Sequence, residues 1–205
     1  VTKSKNKNGS LISLFTCGMG MDLGFEEAGF STLYANDITN FACNTIKKNK
    51  PKIVCDEGDI TDISSKEILK KINYSKGEID VVIGGPPCQS FSTAGMRKGL
   101  DDKRGMALLE YLRVIKDVQP KFFVFENVTG LKSIAKKHMS FYDRISTNKK
   151  QLSGDQQYGS LFAEILEEFK KIKVYEFEWK ILNAADYGVP QKRKRLILIG
   201  SRIIS

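Results

Sequence analysis

The chain is 205 residues long, 41% hydrophobic and 28% charged, and carries 33 Lys and Arg against 24 Asp and Glu, a formal net charge of +9. Such a length suits one sizeable domain, and the composition excludes a disordered polymer. No apolar run approaches the roughly 20 residues of a membrane span and the polar start VTKSKNKNGS is no secretory signal, so a cytoplasmic chain is expected, basic enough to suit a polyanionic partner.

The first β-rich run, LISLF (11–15), enters FTCGMGMDLGFEEAGF (15–30). Gly18 and Gly20, behind a strand and ahead of a helix, fit a nucleotide-binding turn, because glycine admits close approach of the backbone to a ligand. A dinucleotide fingerprint needs a third glycine at 23; Leu23 stands there, which disfavours a pyrophosphate ligand and a nicotinamide dehydrogenase. STLYA (31–35) leads to Asp37, suited to ribose hydroxyls, and KIVCD (52–56) leads to Asp59, suited to an adenine amino group. Capping of the following helix is the alternative role for each. With Phe15 and the glycines, the two aspartates favour an adenosine-type cofactor at the carboxyl ends of the strands.

IDVVIG (79–84) delivers Pro86, Pro87 and Cys88, and a rigid turn flanked by glycine suggests a thiol being presented. Residues 90–104 (SFSTAGMRKGLDDKR) lack a hydrophobic period and read as a mobile loop. A helix is expected over Met106–Asp117, where Leu108, Leu109, Leu112 and Ile115 share a face. KFFVFEN (121–127) follows and delivers Glu126 and Asn127; the polar stretch 140–157 reads as an insertion. A second helix is expected over Ser160–Lys171. VYEFEWKIL (174–182) and RLILIG (195–200) are joined by no helical pattern, so they should pair antiparallel at one edge. Strands alternating with helices imply an α/β fold, a doubly wound, mostly parallel sheet of seven strands.

The four cysteines (Cys17, Cys43, Cys55, Cys88) form no CxxC pair and the single histidine is His138, which argues against zinc, any other metal site, or a disulfide framework. QKRKR (191–195) with Arg202 forms one basic group, and Lys132, Lys136, Lys137, Arg144, Lys149 and Lys150 a second. Cys88 and Glu126 end neighbouring strands and should converge. A thiolate beside a carboxylic acid that can donate a proton suits attack on an electron-poor ring carbon while a ring nitrogen is protonated.

Four stretches in order resemble motifs of the cytosine-5 DNA methyltransferase family. They are a Phe-x-Gly-x-Gly turn at Phe15, Gly18 and Gly20, the Pro-Cys-Gln at Pro87 to Gln89, the Glu-Asn-Val at Glu126 to Val128, and the Gln-x-Arg-x-Arg at Gln191, Arg193 and Arg195. The resemblance spans Leu11 to Gly200. It implies a Rossmann-like methyltransferase fold over residues 11–205, with 1–10 disordered or appended. It also implies S-adenosylmethionine as cofactor, S-adenosylhomocysteine as product and double-stranded DNA as partner. Cys88 would add to carbon 6 of a flipped-out cytosine, Glu126 would serve ring nitrogen 3, and carbon 5 would take the methyl group. Pro87 and Asn127 would shape the cysteine loop, and Arg193 and Arg195 would hold the base or the catalytic residues. Phe15, Gly18, Gly20, Met21, Asp37, Ile38, Asp59, Ile60 and Pro86 would surround the cofactor, with Met21 where the family carries a further glycine.

The family normally continues into a target-recognition region and a final cofactor-contacting segment, which would follow Ser205. A shortened chain, one subunit of a split enzyme of a restriction-modification system, or a remnant are the possibilities; in the first two the chain should expose an apolar face near its first helix. A split enzyme would draw its target recognition from a second chain. Cytosine-5 methylation of tRNA, or a non-catalytic nucleic-acid-binding subunit, are the alternatives in function. Action in the cytoplasm, at the nucleoid if the source is bacterial, is implied.

Overall fold

The computed structural model describes residues 9–87, 105–135 and 153–203. In chain order these form β1 (Gly9–Leu14), α1 (Gly20–Glu27), β2 (Phe30–Asp37), α2 (Asn40–Asn49), β3 (Val54–Glu57), α3 (Ser65–Ile72), β4 (Val81–Gly84), α4 (Gly105–Val118), β5 (Phe122–Val128), α5 (Ser160–Lys170), β6 (Tyr175–Asn183) and β7 (Lys194–Arg202). All seven expected strands and both expected helices are present. The first strand starts earlier than the hydrophobic pattern indicates, because Ser10 is held from both backbone and hydroxyl by Asp80 Oδ2 at 2.7 and 2.9 Å.

One sheet contains every strand, in the order β3-β2-β1-β4-β5-β7-β6. The first five strands pair in parallel, while β7 runs antiparallel to both β5 and β6. The expected antiparallel pair therefore closes one edge, with β7 the reversed strand and β6 at the rim. The chain winds outward from β1 to β3, then returns to β4 beside β1. That reversal creates a topological switch point between β1 and β4, where the loops diverge and leave a crevice.

The pleat sorts the core into two layers. On one face Ile12, Leu14, Val82, Phe123, Phe125, Leu196 and Leu198 pack against α3, α4 and α5. Phe169 of α5 stacks on Phe123 with centroids 5.3 Å apart and meets Phe125 edge-on at 5.5 Å. Glycine at 200 leaves room for this layer, since a Cβ there would lie 2.0 Å from the Phe123 ring. On the other face α1 covers Leu11, Val81, Ile83 and Val124 through Met21 and Phe25, and α2 adds Ile46 against Ala35.

Beyond α1 that second face continues over β5 and β7 with Phe122 46% and Ile199 50% exposed. These two side chains leave an apolar strip half-exposed on this face of the sheet. None of the described helices is long and apolar enough to cross a membrane.

Candidate active site

The carboxyl ends of β1, β4 and β5 and the start of β7 meet at one rim of the sheet. A cleft of about 690 Å³ opens there, lined by Phe15, Gly20, Met21, Gly85, Glu126 and Arg193 among others. A larger cavity of about 990 Å³ runs along β6 and β7 and includes none of the expected site residues.

Glu126 lies on the α1 side of β5, opposite Ile197 of β7. Arg195, two residues back along β7, is its diagonal neighbour on the same face, within reach of a long side chain. Arg195 Nε lies 2.8 Å from Glu126 Oε1, both side chains about a quarter exposed. The other carboxylate oxygen faces the Pro-Cys turn: a Cβ on Gly85 would lie 2.9 Å from Glu126 Oε2. A Cβ on Gly84 would lie 2.7 Å from the Tyr111 ring, whose hydroxyl donates to Val124 O at 2.9 Å. The two glycines before the prolines thus have separate uses, one admitting a core tyrosine and the other the carboxylate.

Asn127 points to the opposite side and donates from Nδ2 to Pro86 O at 3.1 Å, while its Oδ1 accepts from Val128 N at 2.9 Å. This buried amide ties the end of β5 to the turn leaving β4. Pro86 is buried and Pro87 exposed. Cys88, Gln89, the 90–104 stretch, His138 and all the second basic group except Lys132 lie outside the described residues, as does most of the 140–157 insertion. Lys132 stacks over Trp179, 4.5 Å from its centroid.

The first turn departs from its expected register. Phe15, Cys17 and Met19 all have positive φ, at 56°, 49° and 61°, whereas Gly18 and Gly20 do not. Counted from Phe15, a Phe-x-Gly-x-Gly pattern calls for glycine at 17 and 19, where the backbone is left-handed. The chain has Cys and Met there and glycine one place later. The glycine missing from the pattern is therefore not principally at Met21, which packs against the sheet. A Cβ on Gly18 or Gly20 would meet nothing within 4 Å, so neither glycine is required by its protein neighbours.

Asp37 joins this turn to α2. Its Oδ2 accepts from Cys17 N at 2.8 Å and its Oδ1 from Thr39 N at 2.9 Å. Asp59 caps the 3-10 turn Ile60–Asp62, accepting from Thr61 N at 3.0 Å. Asp59 thus performs the capping weighed from the sequence, whereas Asp37 binds Thr39, the N-cap residue of α2, without capping the helix itself; the carboxylate oxygens retain lone pairs for a ligand. Ile38 is 66% exposed beside Asp37, while Ile60 is 3% exposed and faces the core.

Asp22 is a cleft residue that the sequence patterns did not single out. It is 1% exposed and accepts from Ser13 Oγ at 2.9 Å. Burial pushes its carboxyl up to about 6, against the opposing effect of the Ser13 hydroxyl. Arg202, grouped with the basic run, lies at the opposite end of β7 and donates to Gln119 O and Gly77 O at 2.6 and 3.2 Å. It is a structural clamp; of the basic run, Lys192, Arg193 and Lys194 are exposed and Arg193 lines the cleft.

The model of the C-5 cytosine-specific DNA methylase family matches residues 9–203. This chain belongs to that family. It is 45% identical over 193 residues to the Type II methyltransferase M.AquIA of Picosynechococcus sp., covering 94% of this chain and 72% of that relative. It is 39% identical to the Type II methyltransferase M.XorII of Xanthomonas oryzae pv. oryzae, covering 93% of this chain but 40% of that protein. Among solved structures, one assigned as an Escherichia coli prophage DNA modification methyltransferase superposes with a TM-score of 0.69 at 28% identity, covering 96% of this chain and 49% of that one. The Dnmt2 methyltransferase of S. pombe shares the fold, with a TM-score of 0.65 at 18% identity over 97% of this chain and 51% of its own length. Against most of these family members the chain spans about half the length.

Proposed function

We propose that the chain carries the catalytic portion of an enzyme that methylates carbon 5 of cytosine in double-stranded DNA, as part of a restriction-modification system. The observation that carries this reading is the assembly at the rim: Glu126 paired with Arg195 through one oxygen and facing with the other Gly85, which precedes Pro86, Pro87 and Cys88 in the chain. S-adenosylmethionine would supply the methyl group. The residues suit such a ligand, because the left-handed turn at Phe15 to Met19, the Asp37 carboxylate and the Asp59 turn follow the carboxyl ends of three adjacent strands. Ile38 and Pro86 would lie beside the ligand.

In this reading the Cys88 thiolate forms a bond to carbon 6 of a cytosine turned out of the duplex, and the electron pair moves through the ring to nitrogen 3. Glu126 Oε2, the oxygen not held by Arg195, gives nitrogen 3 its proton. Carbon 5 would take the methyl group with S-adenosylhomocysteine as the leaving group; Glu126 then recovers the proton from nitrogen 3, water takes the proton of carbon 5, and the sulfur–carbon bond breaks to return the Cys88 thiolate. Arg193, lining the same cleft, would bind the flipped base or the backbone beside it. Asn127 would keep the Pro86-Pro87 turn in register so that the thiol meets the ring. The exposed strip around Phe122 and Ile199 would receive the segment, in the same chain or a second one, that supplies target recognition. The reaction would take place in the cytoplasm, on DNA.

Covalent trapping tests this. Incubated with S-adenosylmethionine and a duplex carrying 5-fluorocytosine, the protein should form an adduct stable to denaturation that maps to Cys88 and is lost in Cys88→Ser. An adduct on tRNA and not on DNA would move the substrate to RNA. Absence of any adduct, even with the remaining segment added, would remove the catalytic reading.

A further inference from the structure

Arg113 of α4 has no place in the reaction just described, yet it is among the most heavily engaged side chains of the fold. Its Nη2 donates to Ile60 O at 3.0 Å and to Ile63 O at 2.9 Å, and its Nη1 to Ser65 Oγ at 2.8 Å. Its Nε donates to Glu110 Oε2 at 2.6 Å, which fixes the guanidinium from its own helix. Ser65 in turn donates to Asp117 Oδ2 at 2.9 Å. The two carbonyls bracket the single 3-10 turn Ile60–Asp62, whose cap is Asp59. One planar fork from α4 therefore grips both ends of the turn on which Asp59 sits.

We propose that Arg113 is a positioning residue for the cofactor: it holds the Asp59 turn at the height where that carboxylate meets the adenine ring. The cofactor half of this statement rests on the reading of Asp59 given above. Gly58, just before the turn, donates to Asp37 O and accepts from Asn36 Nδ2, both at 3.0 Å, which fixes the entry from β3. From Asp59 onward the turn's own bonds are the Asp59 cap and two i to i+3 contacts, Asp62 N to Asp59 O at 3.1 Å and Ile63 N to Ile60 O at 3.3 Å. Ile60 anchors it in the core below. A lysine at 113 could carry the charge but could not serve two carbonyls and a hydroxyl from a rigid plane. α4 also begins directly after the segment that contains Cys88, so the same guanidinium links the helix leaving the catalytic loop to the turn beneath the adenine.

The test compares wild type, Arg113→Lys and Arg113→Met by two measurements on the protein with its full complement of segments. Amide hydrogen exchange, without ligand, should speed up over residues 59–65 in both variants and stay unchanged in β1, β4 and β5. Calorimetric titration should show S-adenosylhomocysteine affinity falling about tenfold. Preference for that ligand over S-inosylhomocysteine, which replaces the 6-amino group with a carbonyl, should narrow. A merely structural defect would weaken both ligands equally and leave the preference intact. Unchanged exchange over 59–65, or an affinity loss with the preference preserved, would overturn the proposal. Asp59→Asn separates the two readings: if it leaves the wild-type preference unaltered, the adenine assignment of Asp59 fails, and the exchange data alone then decide whether Arg113 holds the turn.

Discussion

Replacing Cys17 by glycine should stabilise the protein, although it deletes a side chain. Cys17 is exposed and has φ 49°, and its backbone N–H donates to Asp37, a bond that glycine keeps. A side chain in the left-handed region costs about 1–2 kcal/mol. Glycine returns about 0.4–1 kcal/mol of that through the greater freedom of the unfolded chain. The net gain is roughly 0.5 kcal/mol, or a rise in Tm of about 1–2 °C for a chain of this size. Gly18→Ala adds to it, because Gly18 has no positive φ and a Cβ there meets nothing within 4 Å. Together the two changes should raise Tm by about 2–5 °C.

Met19 provides the contrast. Its φ of 61° is equally unfavourable, but it is 5% exposed and packs with Ala35 and Ile46. Removing a buried methionine side chain costs about 2–5 kcal/mol, which exceeds the strain relieved, so Met19→Gly should lower stability by about 1–3 kcal/mol. Thermal and urea unfolding under reducing conditions measure all three variants, with Cys17→Ala as control; it keeps the Cβ and should change little. A loss of stability in Cys17→Gly with Cys17→Ala neutral would refute the account of this turn, as would a gain in Met19→Gly.

Gly85→Ala should press a methyl group into the Glu126 carboxylate, whose Oε2 lies 2.9 Å from the new Cβ, and reduce kcat about 10- to 100-fold in a methyl-transfer assay with little change in Tm. Arg195→Lys should reduce kcat by a similar factor, since an ammonium cannot reproduce the guanidinium contact at 2.8 Å; S-adenosylhomocysteine affinity measured by calorimetry should hold. Asp22 titrates at about 6 in the fold against 3.8 for an ordinary aspartate, so its contribution to stability is complete below 3.8 and is lost as pH rises through about 6. Asp22→Asn should therefore gain about 1 kcal/mol relative to wild type between pH 5 and pH 7.5, read from urea unfolding at each pH.

Much of this architecture was legible because burial on both faces writes itself as uninterrupted apolar runs. Val81 to Ile83 and Phe122 to Phe125 needed no alternation to be read as strands, and the lack of a helical pattern between Asn183 and Lys194 was enough to indicate the antiparallel pair. Glu126 and Asn127 were legible as candidate site residues because they stand near the end of an apolar strand, where a polar residue has few other reasons to stand. Asp22 escaped notice because an aspartate in the first turn of a helix is ordinary; only the Ser13 hydroxyl and the depth of burial distinguish it. Arg202 misled for the opposite reason. Proximity in sequence to the basic run concealed a nine-residue strand that carries it to the far end of the sheet.

The first turn shows why counting residue types falls short of reading conformation. Glycine at 18 and 20 signals a turn, but a glycine code does not say which residue of the turn is left-handed. Here the left-handed residues are Phe15, Cys17 and Met19, and each is held by a contact distant in sequence or by burial. The N–H of Cys17 is drawn to Asp37, twenty residues on, and Met19 is seated among Ala35 and Ile46. Those contacts are made only once β1 and β2 lie side by side, so tertiary packing sets the backbone against its local preference. If so, truncating Asp37 to alanine should release Cys17 first: amide exchange should quicken at residues 17–20 well before it does in β1, whereas equal loss of protection in both would mean that the turn and the sheet open as one unit.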